Sequence, residues 1–267
     1  MFWVNGVPSE MVSLTDRSFQ YGDGCFTTML SRHGHIEHWP LHIERMQACL
    51  STLHIPIPDW LQVKQWLDLA VLADEKAVLK LHISRGLGGR GYSFSEVTQP
   101  LVTISSASYP PHYAALQQTG LQLGVCQTRL GINPLLAGHK HNNRLEQILC
   151  KAEMEQQGYQ DGVTLNVQNH VIETTMANLF WLKESVLYTS DVSQSGVAGI
   201  MRRLILAQAQ HDGMPVNVID AQIAQLLDAD EVFVCNSLLG VAPVTRIQDR
   251  NMPIGEMTRY FQGIFCS

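Results

Sequence analysis

The chain has 267 residues and a formal net charge of −6; 45% of it is hydrophobic, 16% charged and 7% aromatic. That length is enough for one large core or for two domains of roughly 100–150 residues each, and the composition excludes a disordered, collagenous or repeat-built chain. The mild acidity argues against nucleic acid or an anionic membrane as a partner, and no apolar run approaches the roughly 20 residues that span a bilayer.

Met1–Gly6 reads as a strand and turn, not as a basic segment followed by an apolar one, so no signal peptide is expected. The six cysteines, at 25, 49, 126, 150, 235 and 266, form no Cys-x-x-Cys pair. Reduced thiols in a cytoplasmic protein are expected, with no zinc or other metal site. In chain order, Phe2–Val4 predicts a strand turned by Asn5-Gly6. Apolar positions at Leu41, Ile43, Met46, Leu50 and Leu53 predict a helix over 41–54, and Asp59 is the N-cap of a second running to about Ala73. Residues 78–85 alternate as a half-buried strand, with Leu79, Leu81 and Ile83 on one face and Lys80, His82 and Ser84 on the other. Another strand covers 101–106. Pro110-Pro111 cannot lie in a helix interior or a central strand, so 109–116 is read as a linker between domains 1–108 and 117–267. The second part predicts strands at 121–127 and 231–235, hairpins 163–167/171–175 and 178–182/186–188, and helices at 145–157 and 199–211. Strands and helices come in runs, which favours a two-domain α+β fold.

Two patterns invite misreading. Gly86-Leu87-Gly88-Gly89-Arg90-Gly91 fits G-x-G-x-x-G, but a dinucleotide fingerprint must open a helix, and Tyr92-Ser93-Phe94-Ser95 leads to a strand. A flexible loop carrying Arg90 is the better reading. His33, His35, His38 and His42 crowd one stretch and are read as surface residues.

The chemistry-bearing candidates are few. Of the six lysines only Lys140 lies off an evident solvated face, in Leu135-Leu136-Ala137-Gly138-His139-Lys140-His141-Asn142-Asn143-Arg144. Lysine forms Schiff bases when its surroundings depress its pKa, so Lys140 is either a nucleophile or an ordinary loop residue. Gln194–Arg202 is a small-residue loop running into a helix. The N–H groups of Ile200 and Met201 either cradle an anion there or merely begin a helix. Ser237 either adds a hydroxyl to that anion or ends a strand. Arg45 either adds charge or snorkels at the surface. Glu173, in an apolar strand, either pairs with a protonated group or faces water.

Six pieces, in order, resemble the fold-type IV pyridoxal-phosphate enzymes, the class IV aminotransferase family. They are Tyr21–Thr28, His42–Arg45, Lys140–Arg144, Glu173 with Asn178-Leu179-Phe180, Gly199–Arg202, and Asn236-Ser237 before Pro243-Val244. The resemblance covers essentially the whole chain. It implies that Lys140 carries pyridoxal 5'-phosphate, that Arg45, the N–H groups of Ile200 and Met201, and Ser237 hold its phosphate, and that Glu173 keeps its ring nitrogen protonated. Many relatives have threonine where this chain has Met201; a backbone contact survives that change and a hydroxyl contact does not.

Phe19–Thr28, Ile83–Gly86 with Gly88–Ser93, and Leu136–Gly138 with Lys140-His141 narrow the resemblance to a lyase branch. That branch splits 4-amino-4-deoxychorismate into 4-aminobenzoate and pyruvate. On this resemblance Lys140 removes the C4 proton, Thr28 serves the leaving group, and Arg90 and Tyr92 bind a substrate carboxylate. A small-molecule substrate and a homodimer are implied. The alternative within the family is a D- or branched-chain amino-acid aminotransferase; outside it, a non-catalytic cofactor-binding protein.

Overall fold

The structure is a computed structural model that describes residues 1–266. It divides into two units, Met1–Tyr109 with His139–Asn143, and Pro110–Gly138 with the residues from Arg144 onward.

The first unit contains β1 (Phe2–Val4), β2 (Val7–Pro8), α1 (Arg17–Tyr21), β3 (Gly24–Arg32), β4 (His35–Ile36), α2 (Trp39–Thr52), α3 (Trp60–Ala70), β5 (Ala77–Ser84) and β6 (Leu101–Ser108). Its six strands form one sheet in the order β2-β1-β6-β5-β3-β4, antiparallel at every pairing. Period-2 alternation gives the sheet a dry face and an open one. The dry face presents Cys25, Met29, Leu79, Leu81, Ile83, Val102 and Ile104 to Met46 and Leu50 of α2 and to Val63 and Leu67 of α3. Each such side chain contributes roughly 1.5–3 kcal/mol when fully buried. The open face presents Phe26, Thr28, Lys80, His82, Thr103 and Ser105, brought level by the register. α2 starts two residues before its predicted limit, with Pro40 in its first turn. α3 is capped by Asp59, as expected, but stops at Ala70, not Ala73.

The second unit contains α4 (Tyr113–Thr119), β7 (Leu121–Leu130), α5 (Leu145–Gln156), β8 (Asp161–Asn166), β9 (Val171–Thr174), β10 (Asn178–Lys183), β11 (Val186–Ser190), α6 (Ile200–His211), β12 (Val216–Ile219), α7 (Ile223–Leu227), β13 (Glu231–Asn236), β14 (Gly240–Ile247), β15 (Arg250–Asn251) and α8 (Glu256–Phe265). A mixed sheet runs β12-β11-β10-β13-β14-β7-β8-β9, with β15 on β14. Both faces are covered, so β13 is buried from Glu231 to Cys235 and its sequence reads as a continuous apolar run. One face packs Leu179, Trp181, Val232 and Val234 with Leu226 of α7; the other packs Phe180 and Phe233, stacked 5.2 Å apart, with Ile205 of α6 and Phe261 of α8.

The α+β expectation matches two sheets with helices laid on them. Two boundaries differ. The proposed linker 109–116 runs into α4, because the prolines stand just before the helix, where no N–H is missed. Lys140, expected in the domain 117–267, groups with the first unit, because residues 139–143 pair with β3. No helix among the described residues is long and apolar enough to cross a membrane.

Candidate active site

In the first unit, the lysine segment is held to the edge of β3 by an isolated antiparallel bridge. Phe26 N–H donates to the Lys140 carbonyl at 3.0 Å, Asn142 N–H donates to the Gly24 carbonyl at 3.0 Å, and His141 bridges Cys25. Lys140 therefore stands opposite Phe26 on the open face, its ammonium 4.7 Å from the centre of that ring. Asn142 anchors the segment by donating from Nδ2 to Ser18 Oγ at 2.7 Å and to His82 Nε2 at 2.8 Å. His82 Nε2 thus accepts, and its Nδ1–H donates to Thr103 Oγ1 at 3.0 Å. Burial pushes the His82 pKa down to about 4, so the ring is neutral at pH 7. Thr28 lies on the same face, two residues along β3 and directly opposite Lys80.

Arg45 reaches β3 from the α2 side. Its Nη2 donates to Thr27 Oγ1 at 2.5 Å, and the Thr27 hydroxyl shares a hydrogen bond of 2.6 Å with His42 Nδ1. His42 is buried; desolvation, then the Arg45 charge, pushes its pKa down to about 2. Thr27 points to the face opposite Lys140 and Thr28, so the structure does not gather Arg45 with them on one face. His42 corrects the surface reading of the histidine cluster; His33, His35 and His38 are exposed as expected.

The Gly86–Gly91 loop leads to no helix, in line with rejecting a dinucleotide site. Arg17 holds it, donating from Nη1 to the Gly91 carbonyl at 3.1 Å and the Ser93 carbonyl at 3.2 Å. Asp23 in turn pairs with Arg17 at 3.0 Å and takes a two-pronged contact from Arg85 at 2.6 and 3.0 Å. Arg90 and Tyr92 stand on this loop exposed to solvent, Tyr92 at 89%. The Tyr92 ring lies 5.9 Å from Tyr21. Within the described residues neither Arg90 nor Tyr92 is brought to Lys140 or Thr28.

In the second unit, Glu173 of β9 is buried. Its Oε2 accepts from Val197 N–H at 3.0 Å and from Asn178 Nδ2 at 3.4 Å, while Asn178 Nδ2 also donates to the Val197 carbonyl at 2.8 Å. Val197 belongs to a loop pinned on both sides. Gly138 N–H donates to the Gly196 carbonyl and Ala198 N–H to the Gly138 carbonyl, both at 3.0 Å, and Ser195 Oγ donates to the Gly131 carbonyl at 2.7 Å. The loop delivers the start of α6. Gly199 is its N-cap and brings no side chain to the first N–H groups; the first bond inside the helix is Arg203 N–H to the Gly199 carbonyl. The N–H groups of Ile200 and Met201 therefore point out of the helix end, where the dipole favours an anion. Their side chains point the other way, into the protein. A Cβ on residue 199 would collide with Asn178 Oδ1. Ser237 lies in the half-buried turn after β13, two residues past Cys235, which pairs with Asn178.

The second unit thus brings together Glu173, Asn178 and the Val197 loop that starts α6. The first brings together Lys140, Phe26 and Thr28. Sequence reasoning passed over Asn178, Thr27, His82 and Asn142 as site-building residues. The signal for Asn178 was a short amide in an apolar strand, which needs a buried polar partner; the others reveal themselves only through cross-strand pairing.

The chain matches amino-transferase class IV over residues 24–247. It is 60% identical over 267 residues to the aminodeoxychorismate lyase of Vibrio harveyi, covering 98% of each chain. It superimposes on the crystal structure of 4-amino-4-deoxychorismate lyase from Pseudomonas aeruginosa with a TM-score of 0.93 at 38% identity, covering 99% of this chain and 97% of that one. A putative branched-chain-amino-acid aminotransferase of Methanocaldococcus jannaschii is 28% identical, over 93% of this chain and 88% of its own. The chain belongs to the class IV aminotransferase family and has the fold-type IV architecture. Within the family it stands with the aminodeoxychorismate lyases and is an enzyme of that kind.

Proposed function

We propose that the protein splits 4-amino-4-deoxychorismate into 4-aminobenzoate and pyruvate, a step in making a folate precursor, with pyridoxal 5'-phosphate as its cofactor. The observation that carries this is the β3 register, which fixes Lys140 and Thr28 on one face of one sheet. The residues suit the cofactor. A glycine-capped helix start with outward N–H groups suits a phosphate, and a buried carboxylate fixed by an amide and a backbone N–H suits a protonated ring nitrogen.

In this reading Lys140 carries the cofactor. The N–H groups of Ile200 and Met201, the Ser237 hydroxyl and the Arg45 guanidinium hold the phosphate, and Glu173 holds the proton on the ring nitrogen. When bound, the cofactor supplies an electron sink for the pair left at C4 of the substrate. The Lys140 amine would remove the C4 proton. The C3–O bond then breaks and the six-membered ring becomes aromatic. Thr28 orients or protonates the departing enolpyruvyl oxygen, and Arg90 and Tyr92 bind a substrate carboxylate. As in the family generally, the enzyme works as a homodimer, and its reduced cysteines suit the cytoplasm.

The test follows both products from aminodeoxychorismate. Equal amounts of 4-aminobenzoate and pyruvate, lost in Lys140→Ala together with the protein's yellow colour, are expected. A yellow, folded protein that releases neither product overturns the reading, and D- and branched-chain amino acids become the substrates to try.

A further inference from the structure

In the second unit one short amide meets three parts of the proposed cofactor cradle. Asn178 opens β10 and is buried, as is Glu173. Its Nδ2 donates to the Val197 carbonyl at 2.8 Å and to Glu173 Oε2 at 3.4 Å. Both partners are acceptors, so the amide can face them only with its NH2 side. Its Oδ1 turns toward Gly199, where a Cβ would collide with it. Val197 closes the circuit, because its N–H donates to the same Glu173 Oε2 at 3.0 Å. On the backbone Asn178 pairs with Cys235, two residues before Ser237, and Asn236 Nδ2 donates to the Met176 carbonyl at 3.2 Å. Glu173, the glycine that starts α6 and the strand end that leads to Ser237 are thus joined through one residue. An amide beside the apolar run Leu179-Phe180-Trp181 costs free energy unless it is paired, and its partners here are pieces of that cradle.

We infer that Asn178 is a positioning residue that sets the two ends of the cofactor site in register. It holds the Glu173 carboxylate where the ring nitrogen of pyridoxal 5'-phosphate would meet it. Through Val197 and Gly199 it also fixes where the Ile200 and Met201 N–H groups would meet the phosphate. The inference rests on the cofactor assignment made above and gives a task to a residue that assignment leaves idle. The spacing between ring nitrogen and phosphate is set by the covalent frame of the cofactor, so the carboxylate and the helix start have to be held at a matching spacing. A carboxylate or loop that must be ordered as the ligand arrives costs affinity, and one already fixed does not. Asn178 touches both, and it acts through them without a contact of its own to the cofactor.

The test titrates the full chain, freed of cofactor, with separate probes for the two ends: pyridoxal, which has the ring but no phosphate, and inorganic phosphate as a competitor. Pyridoxal 5'-phosphate then restores the visible band. Asn178→Ala is expected to weaken pyridoxal by about tenfold, for a hydrogen bond lost to a charged group, and inorganic phosphate by about threefold to tenfold, for one lost to a neutral carbonyl. It is also expected to move the visible band in the direction that Glu173→Gln moves it. A lower Tm with both affinities and the band unchanged overturns the inference, because Asn178 is then a packing residue. Weakening of one probe alone overturns it too, because the two ends are then not held together. If Asn178→Ala does not fold, Asn178→Leu, similar in volume and without an amide, carries the same expectations. Failure of the cofactor reading shows instead in the unaltered protein, which then stays colourless with pyridoxal 5'-phosphate, and that result overturns both.

Discussion

Asp23 shows how much of a motif can be structural. It stood in the stretch that resembles the lyases, yet its carboxylate is spent on Arg17 and Arg85, both 3% exposed. Those guanidiniums fix the Gly86–Ser93 loop and, through Arg85, the Leu53 and His54 carbonyls at the end of α2. Asp23→Asn would leave two buried cations short of a counter-charge, a change that costs about 3–5 kcal/mol. A fall in the urea midpoint is the expected result, with the β3 sheet unfolding first in hydrogen exchange. His82 makes a second prediction. Its folded pKa, about 4, lies below the ordinary 6.5, so the unfolded chain binds the proton more readily. Its contribution is complete above pH 6.5 and is lost as the pH falls from 6.5 toward 4. His42 acts in the same direction with a folded value of about 2. Denaturation at pH 7 and pH 5 should differ by roughly 1–2 kcal/mol for each ring, and His82→Gln should flatten its share.

At the scale of elements, the start of α6 is the most constrained piece of the second unit. Gly196 has φ +86°, and a Cβ there would run into Ile172 and the Glu173 carboxylate. Gly196→Ala forces a left-handed alanine and displaces that carboxylate. A loss of about 1–2 kcal/mol in stability is expected, with weaker pyridoxal 5'-phosphate binding measured by titration of the visible band. A stability loss with unchanged affinity would separate the loop's fold from its proposed task. The β10–β11 hairpin shows the opposite case. Glu184 and Ser185 both take positive φ, the geometry of a two-residue turn whose twist suits paired strands. The sequence signalled that turn without glycine, because the flanking strands were apolar enough to locate it.

For the whole molecule, cofactor binding and stability must be linked. A ligand that binds only the folded state raises stability with its concentration, so added pyridoxal 5'-phosphate should raise the Tm of the apo form stepwise, and less so in Lys140→Ala. A Tm indifferent to the cofactor would count against the proposed site. The local elements were legible because period 2 and period 3.6 are written in a few consecutive residues: Leu79, Leu81 and Ile83 announced β5, and Asp59 announced α3. Lys140, Glu173 and the Ile200–Met201 helix start stood out as candidates because their residue types are unusual for their surroundings, and only the family resemblance attached roles to them. The tertiary structure alone decided the company they keep. Nothing within residues 139–143 says that they pair with β3, which lies more than a hundred residues earlier. Nothing around Thr27 says that it joins Arg45 to His42, or around Lys80 that it stands beside Thr28. Side-chain pattern is local in sequence, whereas strand register and burial are set by the packing of the whole core.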